Sequence, residues 1–150
     1  MKPLFVLIGV FCISIFVIKF ITQAYDLPLS ARIAMCAMLC FTAIGHFAFT
    51  KGMAMMIPEM IPFKTTVVYL SGILEIVLAI GLLVPHVRVY AAWMLIVFFI
   101  LLLPANMYAA MNHINYEKGT FDGRGLSYLW FRVPLQLLFI VWTYISSIKF

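Results

Sequence analysis

The chain has 150 residues, of which 66% are hydrophobic and only 10% are charged, and its mean hydropathy is +1.14. Soluble domains carry about a quarter charged residues, so this composition excludes a soluble globular protein and predicts an integral membrane protein. The formal net charge of +5 comes from basic residues scattered between apolar runs. That pattern favours the headgroups of a lipid bilayer as partners and predicts no nucleic-acid binding.

Five apolar runs are each long enough to cross a bilayer as a helix, at about 1.5 Å per residue. We therefore predict an all-α transmembrane helical bundle that forms a single membrane domain. A further methionine-rich segment, interrupted by Pro58 and Pro62, is too short to span and is expected to lie at the interface. The predicted helices cover residues 4–21, 31–50, 65–84, 89–111 and 126–147, and the interfacial segment covers residues 52–62, within a domain of residues 1–150.

The third predicted span carries a carboxylate, Glu75, near its middle. A carboxylate that faces lipid at this depth costs several kcal/mol, so Glu75 is expected to face protein, a water-filled cavity or a ligand. Ser71, Gly72 and Ala79 lie three or four residues from Glu75 and share its face of the helix. Small and polar residues of this kind are typical of buried helix contacts in membranes.

Other predicted spans carry polar side chains at comparable depths. Counting helical rise from the side that holds the two longer loops, His46 lies about 6 Å deep, Asn106 and Arg132 about 9 Å, and Glu75 and Gln136 about 15 Å. We expect these groups to converge in one chamber, with Glu75 paired to Arg132, because a guanidinium matches a carboxylate in two parallel hydrogen bonds.

Two interpretations of this cluster remain open. It either fixes helix register as a buried structural network, or it lines a pocket for a lipophilic molecule with a polar head, beneath the methionine-rich segment acting as an adaptable lid. In the second case His46 could exchange a proton near neutral pH. No catalytic residue and no metal site are predicted. The candidate ligand-binding residues are His46, Tyr69, Glu75, Asn106, Trp130, Arg132 and Gln136, with Trp130 placed to wall the pocket.

Several short motifs together resemble the DoxX-like family of small membrane proteins over residues 31–147. The resemblance implies a four-helix core with converging polar residues, to which the first helix would be an addition. It also implies functions found in that family, which include quinone-linked sulfur or thiol oxidation and the assembly of acetylcholine receptors. The motifs are Gly45-His46-Phe47, the PEMIP stretch from Pro58 to Pro62, Ser71-Gly72 with Glu75, Pro104-Ala105-Asn106, and Arg132 with Pro134 and Gln136.

The leading hypothesis is a multi-pass protein of a bacterial inner (plasma) membrane that binds a lipophilic, polar-headed small molecule. A quinone or a lipid-like metabolite would fit, and the protein would then support a redox partner. A second hypothesis is a non-enzymatic assembly factor or accessory subunit of a larger membrane-protein partner. A third is an intramembrane isomerase or oxidoreductase that uses Glu75 or His46 as acid or base.

Overall fold

The computed structural model describes residues 2–150, and these residues fold into an all-helical bundle. Five helical segments in this range are long and apolar enough to cross a membrane, the last of them running continuously over Gly125–Lys149. The chain is therefore a helical membrane protein. The helices are α1 (Lys2–Thr22), α2 (Leu27–Ala48), α3 (Thr50–Met55), α4 (Lys64–Gly81), α5 (Arg88–Met111) and α6 (Leu129–Tyr144), and α6 is preceded by a 3₁₀ turn (Gly125–Tyr128) and followed by a π-helical turn (Ile145–Lys149).

The start of α2 lies at Leu27 rather than at residue 31, because Asp26 caps the helix. The Asp26 carboxylate accepts a hydrogen bond from the Leu29 amide at 2.9 Å, and Pro28 occupies the first turn. An acidic side chain satisfies the free amides of a helix start, and proline suits a first turn, where no amide hydrogen is needed. The predicted interfacial segment forms helix α3 followed by an irregular stretch that leads to α4.

The order of packing decides which helices can share a site. Helix α2 packs along α1 on one side and along α4 on the other, while α5 packs against both α4 and α6. The α2–α4 and α5–α6 pairs thus each bring two spans together, with α4 and α5 in contact between them. The core is apolar and includes Met38, Leu39, Leu82, Leu95 and Phe139, all buried.

Helices α2 and α4 approach each other closely where Gly72 faces His46. A Cβ atom on Gly72 would lie 2.8 Å from the His46 Cβ, a distance that real Cβ contacts do not show. The missing side chain therefore allows the two backbones to come together at this level, as small residues do in packed membrane helices. This approach brings the polar groups of α2 and α4 within hydrogen-bonding distance.

The loop between α5 and α6 folds back onto α3. A Cβ on Gly52 would lie 1.8 Å from the Tyr116 carbonyl oxygen, so the loop backbone rests directly on the short helix. The rings of Phe49 and Tyr116 add an edge-to-face contact at 6.1 Å between centroids. Helix α3 and this loop together cover one end of the bundle.

Candidate functional site

Glu75 lies in a polar network between α2 and α4, which we call the Glu75 network and define as Thr42, His46, Ser71 and Glu75. Glu75 is only 4% exposed. The Thr42 hydroxyl donates a hydrogen bond to Glu75 Oε1 at 2.5 Å, and His46 Nε2 lies 3.3 Å from Glu75 Oε2. The prediction that Glu75 faces the interior of the bundle agrees with this geometry, because its neighbours are protein groups rather than lipid.

The second ring nitrogen of His46 is held by α4. His46 Nδ1 lies 2.9 Å from the Ser71 hydroxyl and 3.2 Å from the Val68 carbonyl oxygen. A carbonyl oxygen only accepts, and the Ser71 hydroxyl already donates to the same carbonyl at 2.8 Å. Both contacts are therefore satisfied when Nδ1 carries a hydrogen. In that arrangement Nε2 of His46 faces Oε2 of Glu75 at 3.3 Å.

One oxygen of this network lacks a hydrogen-bond donor. Glu75 Oε2 is buried and accepts no hydrogen bond from residues 2–150, although His46 Nε2 lies 3.3 Å away. Leaving a buried polar atom unsatisfied costs about 1–3 kcal/mol, so native structures rarely keep one without a reason. The carboxylate thus has free acceptor capacity beside an imidazole.

The Glu75 network lies close to the outer surface of the α2–α4 pair. The His46 side chain is 13% exposed, whereas that of Glu75 is 5% exposed. Next to His46 in sequence, the Phe47 ring stacks on Tyr69 with centroids 5.8 Å apart, and Tyr69 is 42% exposed. His46 is therefore more exposed than Glu75, and it lies beside a pair of aromatic rings.

A second polar network joins α5 to α6. Asn106 Nδ2 donates to Gln136 Oε1 at 3.1 Å, and Gln136 Nε2 donates to the Phe99 carbonyl oxygen. Both amides are buried. Because Pro104 carries no amide hydrogen, the carbonyl of Ile100 has no helical donor. Gln136 binds the carbonyl of Phe99, the residue just before Ile100. This network joins two proline-containing helices.

A small cavity lies between Asn106 and the folded-back loop. Its volume is about 20 Å³, and its lining includes Met56, Tyr116 and Tyr128. A space of this size holds about one water molecule, far below the roughly 300 Å³ at which small-molecule pockets begin. A whole lipophilic ligand does not fit there.

The predicted pairing of Glu75 with Arg132 is wrong. The ion pairs among residues 2–150 are Lys2–Glu117 and His46–Glu75, and neither involves Arg132. The reason is packing order: α4 is bordered by α2, α3 and α5, whereas α6 packs mainly on α5. Arg132 instead lies near the loop, within electrostatic range of Tyr116. The predicted single chamber is accordingly two networks, one in each helix pair.

The remaining sequence candidates separate in the same way. Trp130 is 85% exposed and does not wall an interior pocket, while Tyr69 lies at the surface beside the Glu75 network. Thr42 and Ser71 were not among the predicted ligand-binding residues, although Ser71 was placed on the helical face of Glu75. Each stands four residues before a polar residue of its own helix, Thr42 before His46 and Ser71 before Glu75, and this spacing is the sequence signal for both.

The curated proteins and the solved structures contained no match to this chain. A family of sequences described as a domain of unknown function, DUF8561, matches residues 35–147. The matched range begins within α2 and contains all four residues of the Glu75 network and both amides of the second network. It leaves out α1. The chain therefore belongs to the DUF8561 family.

Proposed function

We propose that the protein binds, within the bilayer, a lipophilic small molecule with a polar head, and that the Glu75 network receives the head. The observation that carries this proposal is the buried Oε2 of Glu75, which has no hydrogen-bond donor in the described part of the chain although an imidazole lies beside it. An ionisable residue inside a membrane span is a functional candidate by default, because its burial is costly unless it is used.

The ligand would lie against the outside of the α2–α4 pair rather than in the centre of the bundle. The cavity of about 20 Å³ under the loop is too small for it. Support for an external position comes from the partly exposed His46 and from the aromatic pair Phe47–Tyr69 at the surface. The apolar tail would remain among the lipid chains, and only the head would displace His46 or Tyr69 to reach Glu75.

Each member of the network has a distinct role in this proposal. Glu75 Oε2 accepts a hydrogen bond from a hydroxyl of the head, and His46 exchanges a proton with it. The Thr42 hydroxyl of α2 holds Glu75 of α4, and the Ser71 hydroxyl of α4 holds His46 of α2. A quinol-type or other hydroxylated head has the required donor, which fits support of a redox partner. Asn106, Gln136 and Arg132 have no direct part, because they lie in the other helix pair.

We propose a specific arrangement of the helices as well. We take α2, α4, α5 and α6 as a DoxX-like four-helix core and α1 as an added helix, in a bacterial inner membrane. The motif positions support this assignment, since His46, Glu75, Asn106 and Arg132 each lie on a different one of the four core helices.

A second candidate function rests on the same pair of groups. A carboxyl and an imidazole 3.3 Å apart suit acid–base chemistry in an intramembrane isomerase or oxidoreductase. The alternative of an assembly factor gains nothing specific from the structure, because the exposed apolar faces of the helices are explained by lipid.

The proposal is tested by mass spectrometry of lipophilic molecules that co-purify with the protein in mild detergent. We expect a bound species in the wild type and a loss of about tenfold or more in Glu75→Gln, since the amide has one acceptor oxygen, already used by Thr42. The matched control is Glu59→Gln, which removes an exposed carboxylate. Equal retention in wild type and Glu75→Gln would disprove ligand binding at this network.

A further inference from the structure

Two arginines lie at the end of the bundle opposite the folded-back loop. Arg32 is in the second turn of α2, about 7.5 Å of helical rise from Leu27, and Arg88 is the first residue of α5. Arg88 is close enough to Arg32 for their charges to repel one another. Two like charges are not placed together in a bilayer unless a counter-charge compensates them.

Both guanidinium groups contain buried nitrogen atoms without a partner. Arg32 is 91% buried, and its Nη1 makes no hydrogen bond within the described residues. The Nε of Arg88 is likewise buried and without a hydrogen-bond acceptor in residues 2–150. Among residues 2–150, these two nitrogens are the buried cationic donors without an acceptor. Both guanidinium groups therefore have donor capacity for a negatively charged group.

The nearest acidic residue does not supply that acceptor. Asp26 attracts Arg32 electrostatically, but it forms no ion pair with Arg32 in the described part of the chain. Its carboxylate is instead used as the cap of α2, accepting from the Leu29 amide at 2.9 Å. The arginine pair therefore keeps an excess of positive charge.

The surroundings of the pair are well fixed. The turn Ile145–Lys149 packs against both α2 and α5, and its Ser146 and Ser147 are buried. The Trp142 indole donates to the Ala31 carbonyl at 3.0 Å, which fastens the end of α6 to the turn of α2 beside Arg32. Helix α5 begins at Arg88 without a side-chain cap, so its first amides add a partial positive charge.

We propose that Arg32 and Arg88 form a binding site for the phosphate group of an anionic phospholipid. Guanidinium groups recognise phosphate through paired, charge-assisted hydrogen bonds, and two orphaned donors match its several acceptor oxygens. A lipid is the expected source, because the site lies at helix ends, where headgroups meet the hydrocarbon, and the apolar helix surfaces beside it suit acyl chains.

The test is native mass spectrometry of the whole protein in detergent with equal amounts of phosphatidylglycerol and phosphatidylcholine of identical acyl chains. We expect the wild type to retain one phosphatidylglycerol in preference to phosphatidylcholine, and Arg88→Gln to lower that occupancy about tenfold. Arg32→Gln should act in the same direction. Should that variant fail to fold because its site is buried, Arg88→Gln decides the question alone.

The matched control is Lys149→Gln, which removes an exposed cation from the turn beside the site. We expect it to bind phosphatidylglycerol as the wild type does. An equal loss in Lys149→Gln and Arg88→Gln would show diffuse attraction of charges and overturn the site. Equal retention of the two lipids by the wild type would overturn it as well, and so would binding of added inorganic phosphate without binding of phosphatidylglycerol.

Discussion

Glu75 is a buried carboxyl group inside a membrane span, and the rest of its network explains how it is kept there. The Thr42 hydroxyl donates to one oxygen, and the imidazole of His46 lies beside the other. The imidazole is in turn oriented by Ser71 and by the Val68 carbonyl. Such an arrangement avoids an isolated charge in hydrocarbon but leaves one acceptor open, which is what a binding site for a hydroxyl requires.

Thr42→Val tests how much the hydrogen bond from Thr42 to Glu75 stabilises the folded protein. Valine has nearly the shape of threonine but no hydroxyl, so Glu75 loses its only hydrogen-bond donor among the described residues. We expect a destabilisation of about 1–3 kcal/mol, measured as a lower thermal unfolding temperature in detergent. Thr66→Val, at an exposed position of α4, is the control and should change little. Equal unfolding temperatures of Thr42→Val and the wild type would contradict the role given to this hydroxyl.

Ionisation of Tyr116, in the loop between α5 and α6, makes the stability of the folded state depend on pH in the alkaline range. Burial raises the pKa of the Tyr116 hydroxyl above its usual value of about 10, and the nearby Tyr128 and Glu117 act in the same direction. The folded state therefore favours the neutral phenol. The stabilisation is complete below pH 10 or so and is lost as the pH rises towards the pKa of the folded state, because the unfolded chain ionises first.

We expect an alkaline titration of the folded protein, followed by tyrosinate absorbance, to contain a step that lies above the usual range of tyrosine. Tyr116→Phe should remove that late step and reduce the loss of stability above pH 10 or so. Tyr25→Phe, at an exposed position, is the control. A late step that persists in Tyr116→Phe would assign it to another tyrosine.

At the scale of helices, pairs rather than the whole bundle bring the polar groups together. The α2–α4 pair is defined by the close approach at Gly72, and the α5–α6 pair by amides that reach a carbonyl near Pro104. The amide side chains of the α5–α6 pair are hydrogen-bonded to each other and to a carbonyl, which fits a structural role. In the α2–α4 pair, Glu75 Oε2 has no donor among residues 2–150, and this pair is the one proposed to bind a ligand.

Gly72→Ala tests the α2–α4 contact. The added methyl group would meet His46 Cβ at 2.8 Å, and a Cβ on a helix cannot move aside without its backbone. We expect the helices to separate locally, with a cost of about 1–3 kcal/mol and weaker retention of the ligand. Gly9→Ala is the control, because its Cβ would meet nothing within 4 Å. It should be neutral or slightly stabilising in a helix interior. Unchanged stability of Gly72→Ala would contradict the close approach.

At the scale of the molecule, the bundle has apolar residues both inside and outside, and only packing distinguishes them. Helix α1 lies outside the range matched by the family, yet its Leu7 is completely buried in the core. Phe11 of the same helix meets the Trp142 ring edge-on at 5.0 Å between centroids. Helix α1 is therefore part of one folded unit with α2 and the end of α6.

Leu7→Ala and Ile8→Ala together test that docking. Leu7 is 0% exposed and Ile8 is 48% exposed, although they are neighbours in sequence. We expect Leu7→Ala to destabilise the bundle by about 2 kcal/mol or more, because it leaves a cavity. Ile8→Ala should cost much less, since lipid replaces the lost contacts. Similar unfolding temperatures for the two variants would show that α1 is not docked as described.

Composition and the spacing of apolar runs alone determined that this is a membrane protein with five spanning helices, because hydrocarbon admits only such segments. The same physics identified Glu75, His46, Asn106 and Gln136 as residues that had to turn inward. Which inward groups meet was decided by the order of helix packing, which sequence spacing does not contain. Depth along a helix can be counted from the sequence, but the neighbour across the helix depends on contacts such as Gly72 against His46. For this reason Glu75 lies beside the imidazole of His46 on α2 and not beside the guanidinium of Arg132 on α6.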